Sequence, residues 1–239
     1  MMGAFLLLGF LIGMQHALEV DHLAAVGAMV TKQPGSHRRM ALQGAAWGIG
    51  HTLTLFALSA AVILLGFTLS ERLSSTLEFA VGIMLIFLGL DVLRRLRQKR
   101  MHIHVHEHHD LGRHIHAHSH HDATIPHIDD AHRHAHAQGL PKRALLVGLM
   151  HGAAGSAGLL VLAVSATQDP IEAMTYVLVF GIGSILGMAA LTFAMSFPLR
   201  LAEHTTWIWT TVSIAAGILA IGVGLSIMVE AYPTVFAIT

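Results

Sequence analysis

The chain of 239 residues contains 54% hydrophobic and 12% charged side chains, and its mean hydropathy is +0.64. Soluble domains carry about 25% charged residues. The composition therefore excludes an ordinary soluble globule and indicates a surface that mostly faces lipid. A formal net charge of zero, with no basic block rich in aromatics, indicates no nucleic-acid partner. The absence of cysteine excludes disulfides, thiolate metal sites and thiol catalysis.

Six apolar stretches are long enough to cross a bilayer, which requires about 20 mostly apolar residues. They cover roughly residues 3–29, 42–69, 75–93, 144–167, 171–197 and 206–229. The first stretch lacks the basic start and the small-residue cleavage site of a signal peptide, so we interpret it as a retained helix. The sequence therefore predicts an all-α integral membrane protein with six transmembrane helices.

The basic residues predict the orientation of these helices. Thirteen of the 14 lysine and arginine residues fall in or beside the loops near 30–41, 94–143 and 198–205, and Arg72 lies on the other side. By the positive-inside rule the rich side is cytoplasmic. We therefore expect a protein of the cell (inner) membrane with both termini outside.

Short motifs recur in the two halves of the chain at offsets of 135, 133 and 135 residues. The matched segments are residues 13–16 with 148–151, residues 48–51 with 181–184, and Gly82 and Gly89 with Gly217 and Gly224. Each half holds three helices, so the second half crosses the membrane in the opposite sense. Such inverted repeats are typical of secondary transporters, whose binding site lies where the halves meet. The predicted organisation is transmembrane repeat 1 over 1–96, a His-rich cytoplasmic loop over 97–141 and transmembrane repeat 2 over 142–239.

The first predicted helix carries four ionisable residues between positions 16 and 22. A central aspartate in a membrane helix costs about 2.5–3.5 kcal/mol, so such a cluster requires pairing, water or a cation. Two further histidines lie in the second and fourth helices. Neutral nitrogen and anionic oxygen ligands at one depth suit a divalent transition metal such as Ni, Co or Zn. The predicted metal ligands are His16, Asp21, His22, His51 and His151.

Helical geometry leaves two arrangements of the first helix open. At about 100° per residue, Asp21 lies about 140° from His16, whereas Glu19 and His22 share an arc of about 120° with His16. Either Glu19 replaces Asp21 as a ligand and Asp21 supports an imidazole, or the helix breaks between Ala17 and Asp21. We favour the break, and treat Glu19 as a further ligand or as a partner to one. His151 taken alone is also consistent with a hydrogen-bonded packing residue.

Residues 16–22, with the sequence HALEVDH, resemble the H-A-x-D-A-D-H signature of the nickel/cobalt transporter family. Residues 50–52 resemble the G-H-S/T element in the following helix of that family. The resemblance implies a permease for Ni²⁺ or Co²⁺ in which His16, Asp21 and His22 select the metal.

Three positions depart from the family pattern. Gln15, Glu19 and Val20 stand where the family usually has Arg, Asp and Ala. Six spans rather than eight make the chain similar to the compact branch that includes urease-accessory membrane proteins.

A histidine-rich segment over residues 102–136 holds 14 of the 20 histidines. Histidines two residues apart share a face in an extended chain, so each cluster could chelate a divalent ion. We expect this loop to be disordered without metal, and to lose metal as the pH falls through the imidazole pKa of about 6.5. The accessory metal-binding histidines are His102, His104, His106, His108, His109, His114, His116, His118, His120, His121, His132, His134 and His136.

The sequence predicts a secondary transporter of Ni²⁺ and/or Co²⁺ that works by alternating access, with Zn²⁺ as a further candidate cargo. We expect no prosthetic group and no enzymatic activity, and the chain contains no ATP-binding P-loop motif. The alternatives are an intramembrane zinc-dependent hydrolase that uses Asp21 or Glu19 as general base, and a membrane metal sensor or store that acts through the loop.

The predicted partners are divalent metal ions and the lipid bilayer. A homo-oligomer and a cytoplasmic metallochaperone are further candidate partners. The sequence does not distinguish uptake from efflux.

Overall fold

A computed structural model describes residues 2–32, 36–97, 101–108, 112–119, 141–154, 167, 169–203 and 205–237. These residues form seven helices and one two-stranded sheet. The helices are α1 (Met2–His16), α2 (Val20–Lys32), α3 (His37–Leu65), α4 (Glu71–Arg97), α5 (Lys142–Ala154), α6 (Pro170–Glu203) and α7 (Thr206–Phe236). The strands are β1 (Met101–His108) and β2 (Gly112–Ser119).

Four of the described helices are long and apolar enough to cross a membrane, namely α3, α4, α6 and α7. The segments Gly3–His16 and Val20–Thr31 together meet the same test as one bent span. The prediction of an all-α membrane region is confirmed, with four candidate spans in the described residues and a fifth if the bent pair is one span. The sixth predicted span, 144–167, contains α5 but continues into residues 155–166, which lie outside the described part of the chain.

The ends of α3 and α4 differ from the predicted spans. Helix α3 begins after Ser36, whose hydroxyl accepts a hydrogen bond from the Arg39 amide at 3.3 Å. It ends at Leu65 rather than at residue 69, because Gly66 adopts a left-handed φ of 66° that favours glycine. Helix α4 continues past residue 93 to Arg97, since the basic residues of its last turn complement the helix dipole.

The helices pack closely at glycines, where the backbones of two neighbouring helices almost touch. Helix α4 packs along α7, and α3 packs against both α5 and α6. A Cβ atom added to Gly82 would lie 2.7 Å from the carbonyl oxygen of Gly224. One added to Gly224 would lie 2.6 Å from the carbonyl oxygen of Gly82. Small residues of this kind let membrane helices approach closely where water drives no association.

The first part of the histidine-rich loop forms an antiparallel hairpin, which corrects the prediction of disorder for residues 101–108 and 112–119. Its register pairs His102 with His118, His104 with His116 and His106 with His114. The physical reason is a two-residue alternation of histidine with residues such as Ile and Val that favour strands. The predicted ligands outside the described residues are His109, His120, His121, His132, His134 and His136.

Candidate metal site

A break in the first membrane span brings its polar residues together. Helix α1 ends at His16, α2 begins at Val20, and the two pieces meet at an angle of 51°. The link is a tight turn. The Leu18 amide donates to the backbone carbonyl of Gln15 at 2.8 Å, and the Glu19 amide donates to the backbone carbonyl of His16 at 3.1 Å. The predicted break between Ala17 and Asp21 is therefore confirmed. It removes the angular separation that would keep Asp21 away from His16 in a regular helix.

Four elements supply side chains to one buried cluster. His16 ends α1, Asp21 and His22 lie in the first turn of α2, His51 lies midway along α3, and His151 lies in α5. The four imidazoles are at most 9% exposed, and His22, His51 and His151 are at most 1% exposed. The five residues that the sequence predicted as ligands therefore converge. They form two groups of three residues, and within each group the possible donor atoms all lie within 4.8 Å of one another.

The first group consists of His16, His22 and His51. The Nε2 atoms of His16 and His51 are 3.2 Å apart. The ring centroid of His22 lies 4.4 Å from that of His16 and 5.3 Å from that of His51. Two nitrogens bound to one ion at about 2.0–2.1 Å are themselves about 3 Å apart. The spacing of His16 and His51 is therefore that of two ligands on one ion.

The second group consists of Asp21, His22 and His151. The Asp21 carboxylate joins the two imidazoles, with Oδ1 2.9 Å from His22 Nδ1 and Oδ2 2.8 Å from His151 Nε2. Its Oδ1 also accepts the backbone amide of His22 at 2.8 Å. Both carboxylate oxygens are thus engaged by the site, and they place one negative charge between two buried rings.

Glu19 belongs to neither group. Its Oε1 lies 2.8 Å from Nδ1 of His16, and its side chain is 58% exposed. A proton on Nδ1 that is donated to this carboxylate leaves the Nε2 lone pair of His16 directed at the site. This arrangement fits the supporting role, in which an outer carboxylate orients a metal-binding imidazole.

Three imidazole nitrogens of the cluster have no hydrogen-bond partner among the described residues. They are His22 Nε2, His51 Nδ1 and His151 Nδ1, all of them buried. Buried polar groups nearly always have a partner, and an unsatisfied one costs about 1–3 kcal/mol. The cluster therefore leaves three buried nitrogens unsatisfied beside a carboxylate whose side chain is 27% exposed.

Two aromatic residues that sequence reasoning missed enclose the cluster. The ring of Trp47 lies 5.2 Å from that of His22 and 5.8 Å from that of His151. The ring of Phe180 lies 5.5 Å from that of His16. A signal was present in the sequence, since both aromatics directly precede the repeated Gly-Ile-Gly at residues 48–50 and 181–183. These rings form part of the apolar packing around the imidazoles.

A urease accessory protein, UreH, from Bacillus sp. (strain TB-90) is 32% identical to this chain over 205 residues. The match covers 84% of this chain and 80% of that protein. The chain belongs to the UreH type of the nickel/cobalt transporter family. The resemblance carried by residues 16–22 and 50–52 is thereby confirmed, and the chain is an integral membrane protein. No family model matches it, and no solved structure does.

Proposed function

We propose that this protein transports Ni²⁺ or Co²⁺ across the membrane, and that the ion binds to His16, Asp21, His22, His51 and His151. The observation that carries the proposal is the buried cluster of four imidazoles and one carboxylate at a helix break inside the membrane. Membership of the nickel/cobalt transporter family supports the same class of cargo.

The donor set favours a borderline transition metal over a hard cation. Imidazole nitrogens suit nickel, cobalt and zinc, whereas magnesium and calcium prefer oxygen ligands. Asp21 offsets part of the ionic charge where the dielectric constant is low. The unpartnered Nε2 of His22 would gain in the ion the partner that it lacks.

We further propose that the two halves form an inverted repeat, an architecture common among transporters that work by alternating access. Reciprocal backbone contacts support it. A Cβ at Gly13 would meet the carbonyl of Phe180, and a Cβ at Gly148 would meet that of Trp47. Gly148 follows Gly13 by 135 residues and Phe180 follows Trp47 by 133, which are the offsets of the sequence motifs. The two contacts are thus the same contact made once from each half.

A second pair of glycine contacts is related by the same two offsets. Gly183 approaches the carbonyl of Phe10, and Gly50 approaches that of Leu145. Gly82 of α4 approaches the carbonyl of Gly224 in α7, and Gly217 of α7 approaches that of Gly89 in α4, which supports treating α4 and α7 as counterparts. An axis that relates the halves in this way lies in the membrane plane, and rocking one half against the other would open the site to each face in turn.

The proposed orientation places both termini outside and the histidine-rich loop in the cytoplasm, because thirteen of the 14 basic residues are on the loop side. The loop would then concentrate metal on the cytoplasmic side of the transport site. It could serve either direction, by trapping imported ions or by supplying ions for export.

The zinc hydrolase fits the geometry less well. A hydrolytic site requires a carboxylate that is available to accept a proton from a metal-bound water. Both oxygens of Asp21 already engage imidazoles, and the Oε1 of Glu19 is held by His16. Transport requires no proton-accepting base, only side chains that can exchange these contacts for the ion.

The direct test is metal flux into proteoliposomes that contain the purified protein, with Ni²⁺, Co²⁺, Zn²⁺ and Mn²⁺ compared. We expect saturable flux of Ni²⁺ or Co²⁺ that His22→Ala abolishes. The matched control is His37→Ala, which removes an imidazole of α3 that contacts Ser196 and Phe197 outside the site. Flux of no metal by the wild-type protein, or equal flux in wild type and His22→Ala, would overturn the proposal.

A further inference from the structure

The five proposed ligands do not surround one point. They form two groups of three that have only His22 in common. We infer that the transported ion occupies two alternative positions that share His22, and that it moves between them during transport. The inference rests on the proposed function, and it specifies how the site works. The histidine position is formed by His16, His22 and His51, and the aspartate position by Asp21, His22 and His151.

His22 can serve both positions because its ring has two nitrogens that face different neighbours. Its Nδ1 lies 2.9 Å from Asp21, within the aspartate position. Its Nε2 is buried without a hydrogen-bond partner, while the rings of His16 and His51 lie 4.4 Å and 5.3 Å from the His22 ring. A neutral imidazole carries a lone pair on one nitrogen and a proton on the other. The ion would therefore bind Nε2 while the Nδ1–H group donates to Asp21, and it would bind Nδ1 after that proton has moved to Nε2.

The two positions differ in charge, which gives the ion a reason to move. The histidine position offers three neutral nitrogens, whereas the aspartate position replaces one of them with a carboxylate. Two divalent ions bound to one imidazole in a low-dielectric interior would repel each other strongly. We therefore expect the positions to be filled one at a time.

The proposed repeat links each position to one conformation. His16 and His151 are 135 residues apart, which is the offset between the halves, and each belongs to one position only. Their aromatic neighbours correspond in the same way, since Phe180 lies against His16 and Trp47 against His151. In an inverted-repeat transporter the halves exchange conformations as access alternates. The ion would thus be held with His16 in one state and with His151 in the other.

Cobalt absorption together with flux tests this inference on the full-length protein. His16→Ala removes the histidine position alone, His151→Ala removes the aspartate position alone, and His22→Ala removes both. The visible spectrum of bound Co²⁺ is recorded for each variant as the difference from His22→Ala, which subtracts the ions bound to the loop. His16→Gln and His151→Gln preserve side-chain volume and serve as a second pair should the alanine variants fold poorly.

We expect His16→Ala and His151→Ala each to retain one bound Co²⁺ with a different spectrum, because different ligands remain. Their affinity should fall by less than about 100-fold, while their flux falls to the level of His22→Ala. Full flux in either variant, identical spectra, or two ions per wild-type chain above the His22→Ala background would overturn the inference. Wild-type flux combined with identical spectra would overturn it and leave the proposed transport intact, whereas a wild-type protein without flux would overturn both.

Discussion

The two halves of the proposed repeat share close glycine contacts but carry different chemistry. Residues 47–51 of α3 have the sequence WGIGH, and residues 180–184 of α6 have FGIGS. The second glycine of each segment approaches a backbone carbonyl, Gly50 that of Leu145 and Gly183 that of Phe10. The last residue differs. His51 joins the metal cluster, whereas the Ser184 hydroxyl donates to the Gly13 carbonyl at 3.2 Å and only supports packing.

The broken first span and its proposed counterpart, the predicted span over 144–167, also differ in chemistry. His16 and His151 correspond, but Asp21 and His22 correspond by offset to Ser156 and Ala157 in the sequence. The first half therefore supplies four of the five proposed ligands, and the second half supplies His151. In the proposed repeat, the recurring glycines bring the halves together, while the polar residues that have no counterpart in the other half form most of the proposed binding site.

The largest expected effect distinguishes His51 from its counterpart. His51→Ser gives α3 the residue of α6, and it should lower metal affinity by more than the roughly 10–100-fold typical of losing an outer-shell partner, and reduce flux accordingly, because a direct ligand is lost. Ser184→Ala removes one hydrogen bond worth about 1 kcal/mol, so flux should change little. Proteoliposome flux at several Ni²⁺ concentrations measures both. Equal losses in the two variants would show that position 51 acts through packing.

The second prediction concerns the packing that the halves share. Gly82→Ala and Gly224→Ala should destabilise the protein by similar amounts, about 1–3 kcal/mol each, because each added methyl group meets the same backbone contact from opposite sides. Gly222→Ala is the matched control on α7, since a Cβ there meets nothing within 4 Å. Thermal unfolding in detergent should separate the pair from the control. A large difference between Gly82→Ala and Gly224→Ala would contradict the reciprocal packing.

A third prediction tests the outer carboxylate of the first half. Glu19→Ala should reduce metal affinity by about 10-fold, since Glu19 orients His16 without binding the ion. Glu19→Asp, which restores the residue usual in the family, should recover most of the loss. The affinity is obtained from the metal concentration at which flux is half-maximal, and the maximal rate of flux is measured in the same experiment for comparison. Complete loss of flux in Glu19→Ala would instead make Glu19 a ligand.

The smallest expected effect is that of the histidine-rich loop. Deletion of residues 101–140 should leave flux at saturating Ni²⁺ nearly unchanged, because the proposed ligands lie in the membrane region. The number of ions bound per chain should fall. In the full-length protein those additional ions should dissociate as the pH falls through about 6.5, since protonation competes with metal for imidazole. Flux abolished by the deletion would favour the alternative of a metal sensor or store.

The sequence was sufficient to predict much of this arrangement. Apolar length predicted the spans, and the 140° separation of Asp21 from His16 predicted the break that the structure contains between α1 and α2. Helix ends were less predictable. Gly66 ends α3 by its own backbone conformation, which hydropathy does not detect.

The division of the ligands into two groups could not be predicted, because it depends on how α5 packs against α3. The placement of Gly148 and Gly152 against the carbonyls of Trp47 and His51 sets the depth of His151. The same packing brings Trp47 over the imidazoles, a role that its apolar neighbours in the sequence do not reveal. Composition likewise suggested a disordered loop, although its alternating pattern is compatible with the hairpin of β1 and β2.

The measurement that tests the central claim most directly is counterflow of radioactive Ni²⁺ in proteoliposomes. Vesicles loaded with unlabelled Ni²⁺ are diluted into a trace of labelled Ni²⁺, with His22→Ala as the control. Alternating access around one ion predicts that internal unlabelled metal accelerates the accumulation of label, and that His22→Ala shows none. Accumulation that is independent of internal metal in the wild-type protein would contradict a carrier built around this site.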